Sequence, residues 1–301
     1  MLIHEDFFMR TFMSGLVFIG VLAAALSWVA AFSGIAIPDL GIPHPLEQNG
    51  APALAARFEP TSPAIVSEML KMAAVTSNDV VFDLGSGDGR IVIAAARSAG
   101  ARGIGVDLDG ELIRQSRTAA ERENVSGLVQ FLQEDLFQTD FSKATVVMLY
   151  LSPEANLRLR PRLLRELKPG TRIVSHSHSM GDWKPDNEAR VENHMLYSWL
   201  VPAHVAGSWS LEITDKYMDS GTSLRFKQAF QNIEAGLRSG NREIAVAGAG
   251  LQGGSIQFTV EQELGSLAAG ARFTGEVDGD RMTGKFRSAS HSGTWTAKRT
   301  R

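Results

Sequence analysis

The residues best suited to chemistry in this 301-residue chain stand close together: Asp83, then Gly85, Gly87 and Gly89, with Asp107 further on. Glycines at alternate positions let the backbone bend sharply and press against a ligand, because no Cβ intervenes. A carboxylate directly before such a turn repels a pyrophosphate and suits a cationic, amino-acid-like ligand. An ionised carboxylate is acceptor-only, so Asp107 is fitted to take hydrogen bonds from two ribose hydroxyls. The glycines alone are a weak signal, since dinucleotide-binding folds use G-x-G-x-x-G in the same place. The acid before them is what discriminates.

The elements that must position these residues can be read on either side. Val80–Phe82 is a short apolar run of the kind a buried parallel strand needs, and Asp83 is expected to end it. Arg90–Arg97 reads as a helix with Gly100 as its stop. Gly103–Val106 is a second buried strand ending on Asp107. Strand, glycine turn, helix and strand in this order resemble the S-adenosylmethionine (SAM) site of class I methyltransferases. The resemblance implies SAM as cofactor, bound by Asp83, Gly85, Gly87, Gly89 and Asp107.

The rest of the central region alternates in the same way. Phe58–Val75 opens on two prolines around Thr61 and Ser62 and continues as an amphipathic helix, with Ile65, Val66, Met69, Leu70 and Ala73 at core spacing. Its Pro-Thr-Ser-Pro turn either lies over the SAM pocket, which makes Thr61 a cofactor contact, or is an ordinary helix N-cap. Glu111–Glu123 is a helix, Leu128–Leu132 a third strand, and Ala144–Leu151 a fourth. Asn156–Leu167 is a helix, Thr171–His176 a fifth strand, and pieces near 189–193 and 196–202 supply the last pair. This alternation predicts a doubly wound parallel sheet, in which ligands bind beyond the strands' carboxyl ends. In class I methyltransferases an acid after the third strand commonly meets the adenine amino group. Asp135 resembles it, though Glu134 can take the role and a plain loop acid is the alternative.

FEPTSP, DLGSGDGR, GVDLD, EDLF and the run from LYLSPEAN to SHSHSMGDW together resemble the small seven-strand protein-lysine methyltransferases. These include a membrane-anchored mitochondrial group and bacterial relatives. A more distant likeness is to the one histone-lysine methyltransferase family with this fold. The likeness runs from Phe58 to Trp183, about half the chain. It implies methylation of a lysine ε-amine on a protein partner. Such transfer is an in-line displacement needing alignment and a neutral amine, not a strong base. Tyr150, Ser152 and Asn156 follow the fourth strand, where an acceptor would arrive. Tyr150 and Asn156 are the candidate catalytic residues. Their alternatives are a core-edge aromatic and a helix start. His176 and His178 share one face if the fifth strand stays extended, but no third ligand joins them and no metal is assigned. Trp183 reads as packing. Two other functions stay open: methylation of a small molecule or lipid, and a membrane-tethered module that binds SAM without chemistry.

The ends differ in kind. Thr11–Pro38 carries no charge, and Phe12–Ile37 is mostly Leu, Val, Ala, Phe, Ile and Trp. That exceeds the roughly 20 residues a membrane-spanning helix needs. We expect a single-pass anchor within residues 1–38, with the methyltransferase domain on the cytoplasmic side. A signal peptide cleaved near Ala30–Ala31, giving a secreted or periplasmic protein, is the competing reading. Residues 39–53 read as a linker and 54–205 as the methyltransferase domain. Residues 207–301 form short alternating segments spaced by Gly, Asp and Asn, the pattern of a small antiparallel barrel or sandwich. Its role is either accessory binding or structural capping, with Trp209 and Trp295 as closing residues. The net charge of −3 marks no nucleic-acid partner. With no cysteine, disulfides, Cys-ligated zinc and a cysteine nucleophile are excluded.

Overall fold

The computed structural model describes residues 58–213, 221–265 and 267–300. The expected N-terminal hydrophobic helix and the linker after it lie outside these residues. Among the described residues no helix is long and apolar enough to cross a membrane.

Helix α1 (Pro63–Met72) begins where Ser62 caps it, accepting from the Ile65 amide, with Pro63 at the position where a missing N–H costs nothing. Strand β1 (Val80–Leu84), α2 (Arg90–Ala99), β2 (Arg102–Asp107), α3 (Gly110–Arg122), β3 (Val129–Gln133), β4 (Val146–Leu149), α4 (Pro153–Glu166) and β5 (Arg172–His176) then alternate. Strands β6 (Asn187–Val191) and β7 (His194–Leu200) form a hairpin around Glu192-Asn193, both at positive φ. The sheet order is β3-β2-β1-β4-β5-β7-β6, parallel from β3 to β5 and antiparallel at β7. Asp83 lies inside β1 and does not end it, because its backbone stays paired with Gly105 and Met148.

Alternation along each strand sends side chains to two layers. Val81, Val146, Met148 and Val174 face α1, α2 and α3 through Ile65, Met69, Ile91 and Ile113. Phe82, Leu84, Val147, Leu149 and Ile173 face the other way, onto Leu159 and Leu163 of α4 together with Met180, Trp183 and Trp199. The sheet is therefore covered on both faces, as a parallel sheet requires. Trp183 is fully buried.

Nine antiparallel strands make the second sheet: β8 (Gly207–Ile213), β9 (Thr222–Ala229), β10 (Asn232–Ser239), β11 (Arg242–Ile244), β12 (Val246–Gln252), β13 (Ser255–Val260), β14 (Ala271–Asp278), β15 (Arg281–Arg287) and β16 (Ser292–Arg299). Their order, β11-β10-β9-β8-β16-β15-β14-β13-β12, joins the first strand of the region to the last. One core draws on β8–β16, from Trp209 to Phe258, Phe273 and Trp295. The two expected closing tryptophans share this core, each with its own partners. Trp295 meets Phe258 and Phe273 edge-on, while the Trp209 indole donates to the Val205 carbonyl beneath Arg299.

Candidate active site

Beyond the carboxyl ends of the parallel strands lies a cavity of about 440 Å³. Its wall takes one contribution from each strand in sheet order: Glu134 after β3, Asp107 on β2, Asp83 and Gly85 at β1, Tyr150 and Ser152 after β4, and His178 after β5. Phe58, Glu59 and Thr61, from the chain leading into α1, also line it.

Of the three glycines in the turn, Gly85 lines the cavity, while Gly87 and Gly89 are not on its wall. Gly85 and Gly87 have φ of 88° and 54°. A Cβ on Gly85 would come within 2.8 Å of Leu151, and one on Gly87 would run into the Phe58 ring. Both positions favour glycine for conformation, and Gly87 also for the space that the Phe58 ring takes. Gly89 caps α2. Asp107 stiffens the turn: its Oδ2 accepts from the Gly87 amide at 2.8 Å and its Oδ1 from the Asp109 amide at 2.9 Å. A carboxylate offers about four lone-pair sites, so Asp107 keeps capacity for further donors.

Asp83 is 2% exposed, and its Oδ2 has no partner among the described residues, nor does the buried Oγ of Ser86 beside it. Burial pushes the Asp83 carboxyl up to about 8, helped by the negative charges of Asp107 and Asp88. A buried polar atom left unsatisfied on a cavity wall calls for a donor from a ligand. An ammonium group fits that demand, so the glycine turn, orphan acceptors and Asp107 together fit an aminoacyl nucleoside.

On the β4–β5 side, the Tyr150 hydroxyl donates to Glu59 Oε2 at 2.8 Å. Burial, with the Glu59 hydrogen bond and charge, pushes Tyr150 up to about 12, so it stays protonated. The His176 ring packs against Tyr150 with centroids 3.9 Å apart and against His194 at 4.8 Å. Its Nδ1 is 3.3 Å from Thr61 Oγ1, and burial, with His194, lowers it to about 4. Thr61 also offers its carbonyl to Arg90 Nη1 at 2.8 Å, and Arg90 pairs with Asp88 at 2.6 Å. The turn before α1 is a helix N-cap through Ser62, and Thr61 beside it lines the cavity.

Asn156 does not line the cavity. It is fully buried in α4, and its Nδ2 donates to Ser175 Oγ at 3.1 Å and to the His178 carbonyl at 3.0 Å. Asp135 is turned into its own loop, where Oδ1 accepts from the Phe137 amide, and Glu134 is the acid on the wall. His176 and His178 do not share a face. β5 ends at His176, and Ser177 at φ 65° redirects the chain so that His178 reaches the cavity. Glu59 and His178 were missed as site residues from the sequence. An acid in one irregular segment and a histidine in another carry no periodic signal.

Residues 83–187 match the family model described as the ANTKMT methyltransferase domain. A protein-lysine N-methyltransferase of Saccharolobus islandicus is 38% identical over 152 residues, spanning 49% of this chain and 94% of that protein. A human lysine N-methyltransferase named for an ATP synthase subunit is 35% identical over 130 residues, 43% of this chain and 55% of that protein. The chain thus covers nearly all of the archaeal relative and about half the length of the human one. Among solved structures, an RNA methyltransferase from Salinibacter ruber in complex with S-adenosyl-L-homocysteine is 48% identical, covering 49% of this chain and 96% of that one, with a TM-score of 0.48.

Proposed function

The chain belongs to the protein-lysine N-methyltransferase family, and on that premise we propose that its cavity holds SAM against β1–β3 and receives a protein lysine ε-amine from the β4–β5 side. One observation carries this reading. The orphaned Asp83 carboxyl and the Asp107 carboxylate share a cavity with the Tyr150–Glu59 pair, on neighbouring strands.

The bound cofactor supplies a methyl group activated on a sulfonium. Asp83 and Ser86 answer its amino-acid end, Gly85 leaves room for it, Gly87 holds Asp107 through its amide, and Gly89 starts the helix behind them. Asp107 takes the ribose hydroxyls, and Glu134, or Asp135 after a rearrangement of its loop, takes the adenine amino group. Thr61 closes the cavity from above α1. On the acceptor side, Glu59 attracts the arriving ammonium, and Tyr150 holds Glu59 in place. Phe58 and Leu151 make the adjoining wall apolar, which disfavours the charged amine and favours loss of its proton to solvent. Alignment of donor and neutral acceptor then supplies several kcal/mol of barrier reduction. Asn156 acts indirectly, by fixing the backbone of His178.

The acceptor in this proposal is a protein beside or within a membrane. The relatives named for lysines of an ATP synthase subunit and of an adenine nucleotide translocase support a protein acceptor. The uncharged stretch Thr11–Pro38 supports a tether, with the catalytic domain on the cytoplasmic side where SAM is made. Tethering raises the effective concentration of acceptor without any new contact.

The test is transfer of labelled methyl from SAM into membrane and soluble fractions, with the acceptor identified by mass spectrometry. Label on a lysine Nε of a protein is expected. Label confined to lipid, small molecules or RNA, or none despite SAM binding, rules out the lysine reading. Removal of residues 1–38 is expected to spare SAM affinity and to reduce methylation of a membrane-bound acceptor more than of a free peptide with the same lysine. Equal loss on both, or a mature chain starting near Ala31, argues against the tether.

A further inference from the structure

We infer that Phe230 and Gln231, at the tip of the β9–β10 hairpin, are positioning residues for the acceptor side of the cavity. Through them the C-terminal sheet braces the segment 177–186 that carries His178. The inference rests on the methyltransferase reading and extends it to a part of the chain outside the matched family region.

The segment between β5 and β6 holds one wall of the cavity with little structure of its own beyond the bridge between Met180 and Trp183. It starts in the left-handed conformation of Ser177, uncommon for a residue with a Cβ. Something outside the segment must therefore fix its path. Two anchors come from the methyltransferase fold itself. Asn156 and Ser175 both donate to the His178 carbonyl, and Arg160 donates to the Met180 carbonyl and pairs with Asp182.

The third anchor comes from the other sheet. Gln231 Oε1 accepts from the Trp183 indole N–H at 2.9 Å. Its Nε2 donates to the Lys184 carbonyl at 2.8 Å and to Asp186 Oδ1 at 3.3 Å. One side chain thus holds three successive parts of the segment. The Phe230 ring stacks on Trp183 with centroids 5.8 Å apart and planes 14° apart, and the Arg160 guanidinium lies 5.3 Å from its centroid.

The hairpin tip is shaped for this at a cost. The pairing of Ala229 with Asn232 leaves Phe230 and Gln231 as a two-residue loop. Phe230 sits at φ 55°. Such loops favour Asn or Gly, and a bulky residue there is a conformational outlier. An outlier of this kind points to a role for the side chain it presents. Here the ring enters the layer formed by Trp183 and Trp199, whose own indole donates to the Trp183 carbonyl. Trp183 is the pivot: fully buried, gripped by the tip on one side and continuous with His178 on the other.

Two measurements on the full chain test this. Gln231→Ala removes all three bonds, while Gln231→Glu keeps the acceptor for Trp183 but sets a carboxylate oxygen against the Lys184 carbonyl and the Asp186 carboxylate. Hydrogen exchange is expected to speed up within 177–186 in both variants and to stay unchanged in the glycine turn 85–89. The KM for a protein acceptor should rise about fivefold, the scale of one net hydrogen bond, with SAM affinity unchanged. Unaltered exchange in 177–186 overturns the brace. So does a parallel loss of SAM affinity and acceptor turnover, which marks general loosening. If Gln231→Ala does not fold, Gln231→Glu decides by the same readouts. A wild-type chain that methylates no lysine removes the functional reading, while the exchange measurement still decides the brace.

Discussion

The Tyr150 hydroxyl and the Glu59 carboxylate, 91 positions apart in sequence, are joined by a 2.8 Å hydrogen bond at the cavity wall. Behind Tyr150 the ring of His176 is kept neutral near physiological pH by burial, so it does not compete as a cation for Glu59. The pair is a fixed negative group backed by an aromatic wall, which suits an approaching lysine ammonium.

Tyr150→Phe should therefore weaken acceptor use without touching the cofactor. Hydrogen bonds to charged groups contribute about 1.5–3 kcal/mol, and the exposure of Glu59 argues for the lower end. We expect kcat/KM for a protein acceptor to fall roughly tenfold, in line with that contribution. SAM affinity by calorimetry should be unchanged. A parallel loss of SAM affinity would place Tyr150 on the cofactor side instead.

Asp107 tests the cofactor side. Asp107→Ala removes acceptors for the ribose and also frees the Gly87 and Asp109 amides. The loss should be about 1–3 kcal/mol of SAM binding, and the added slack in the glycine turn favours the upper part of that range. Asp107→Asn keeps one acceptor oxygen and should lose less. Equal SAM affinity in Asp107→Ala and wild type would mean the site is assigned wrongly.

Most of the sheet was legible because its strands contain short apolar runs, as at Val80–Phe82 and Val146–Leu149. Strand β10 was not. Ile233, Ala235 and Leu237 do alternate, but Asn232, Glu234 and Gly236 between them are poor strand formers. Its pairing with β9, from Asn232↔Ala229 to Ser239↔Thr222, supplies what propensity lacks. The run from Arg242 to Gln252 breaks at Ala245 into β11 and β12, which pair with different neighbours. The Asp83–Asp107 half of the site was legible because acid and glycine spacing encodes it locally. On the other half, Tyr150 was legible from its place after the fourth strand, but Glu59 and His178 were not, because the chain folding back before α1 and the left-handed turn at Ser177 bring them to the same wall.

Stability at the opposite end of the sheet depends on Asp79. Its carboxylate accepts from Thr76 and Thr145 and pairs with Arg172, tying together the starts of β1, β4 and β5. Burial pushes this carboxyl up, but the bonds from Thr145, Thr76 and Arg172 outweigh it and hold it below the usual range. Asp79→Ala should cost about 3 kcal/mol, as for a buried pair robbed of one partner. A depressed carboxyl contributes stability that is complete above its unfolded value of about 3.9 and is lost as pH falls through the folded one. Denaturant melts should show that acid limb in wild type and a smaller one in Asp79→Ala, with SAM affinity the same in both.

Asp83 gives the pH dependence of opposite sign. Its carboxyl is pushed up to about 8 by burial and by Asp107 and Asp88, so below that pH it is largely protonated. A cationic amino group needs the ionised form, so SAM binding must expel the proton. Affinity should then rise with pH by up to about tenfold per unit below 8, since one pKa unit is 1.36 kcal/mol, until the cofactor's own α-amine begins to lose its proton near the same pH. The SAM-free chain should move the other way. A carboxyl whose folded value is raised contributes stability that is complete below its unfolded value of about 3.9 and is lost as pH rises through the folded one. Between these limits the melting temperature of the SAM-free chain should lose this contribution while the shift produced by saturating SAM grows. Calorimetry in buffers of different ionisation enthalpy counts the released proton directly. Asp83→Asn should abolish both trends, bind SAM weakly at every pH, and release no proton. Proton release that persists in Asp83→Asn would mean that another group on the wall titrates, and that Asp83 does not face the ammonium.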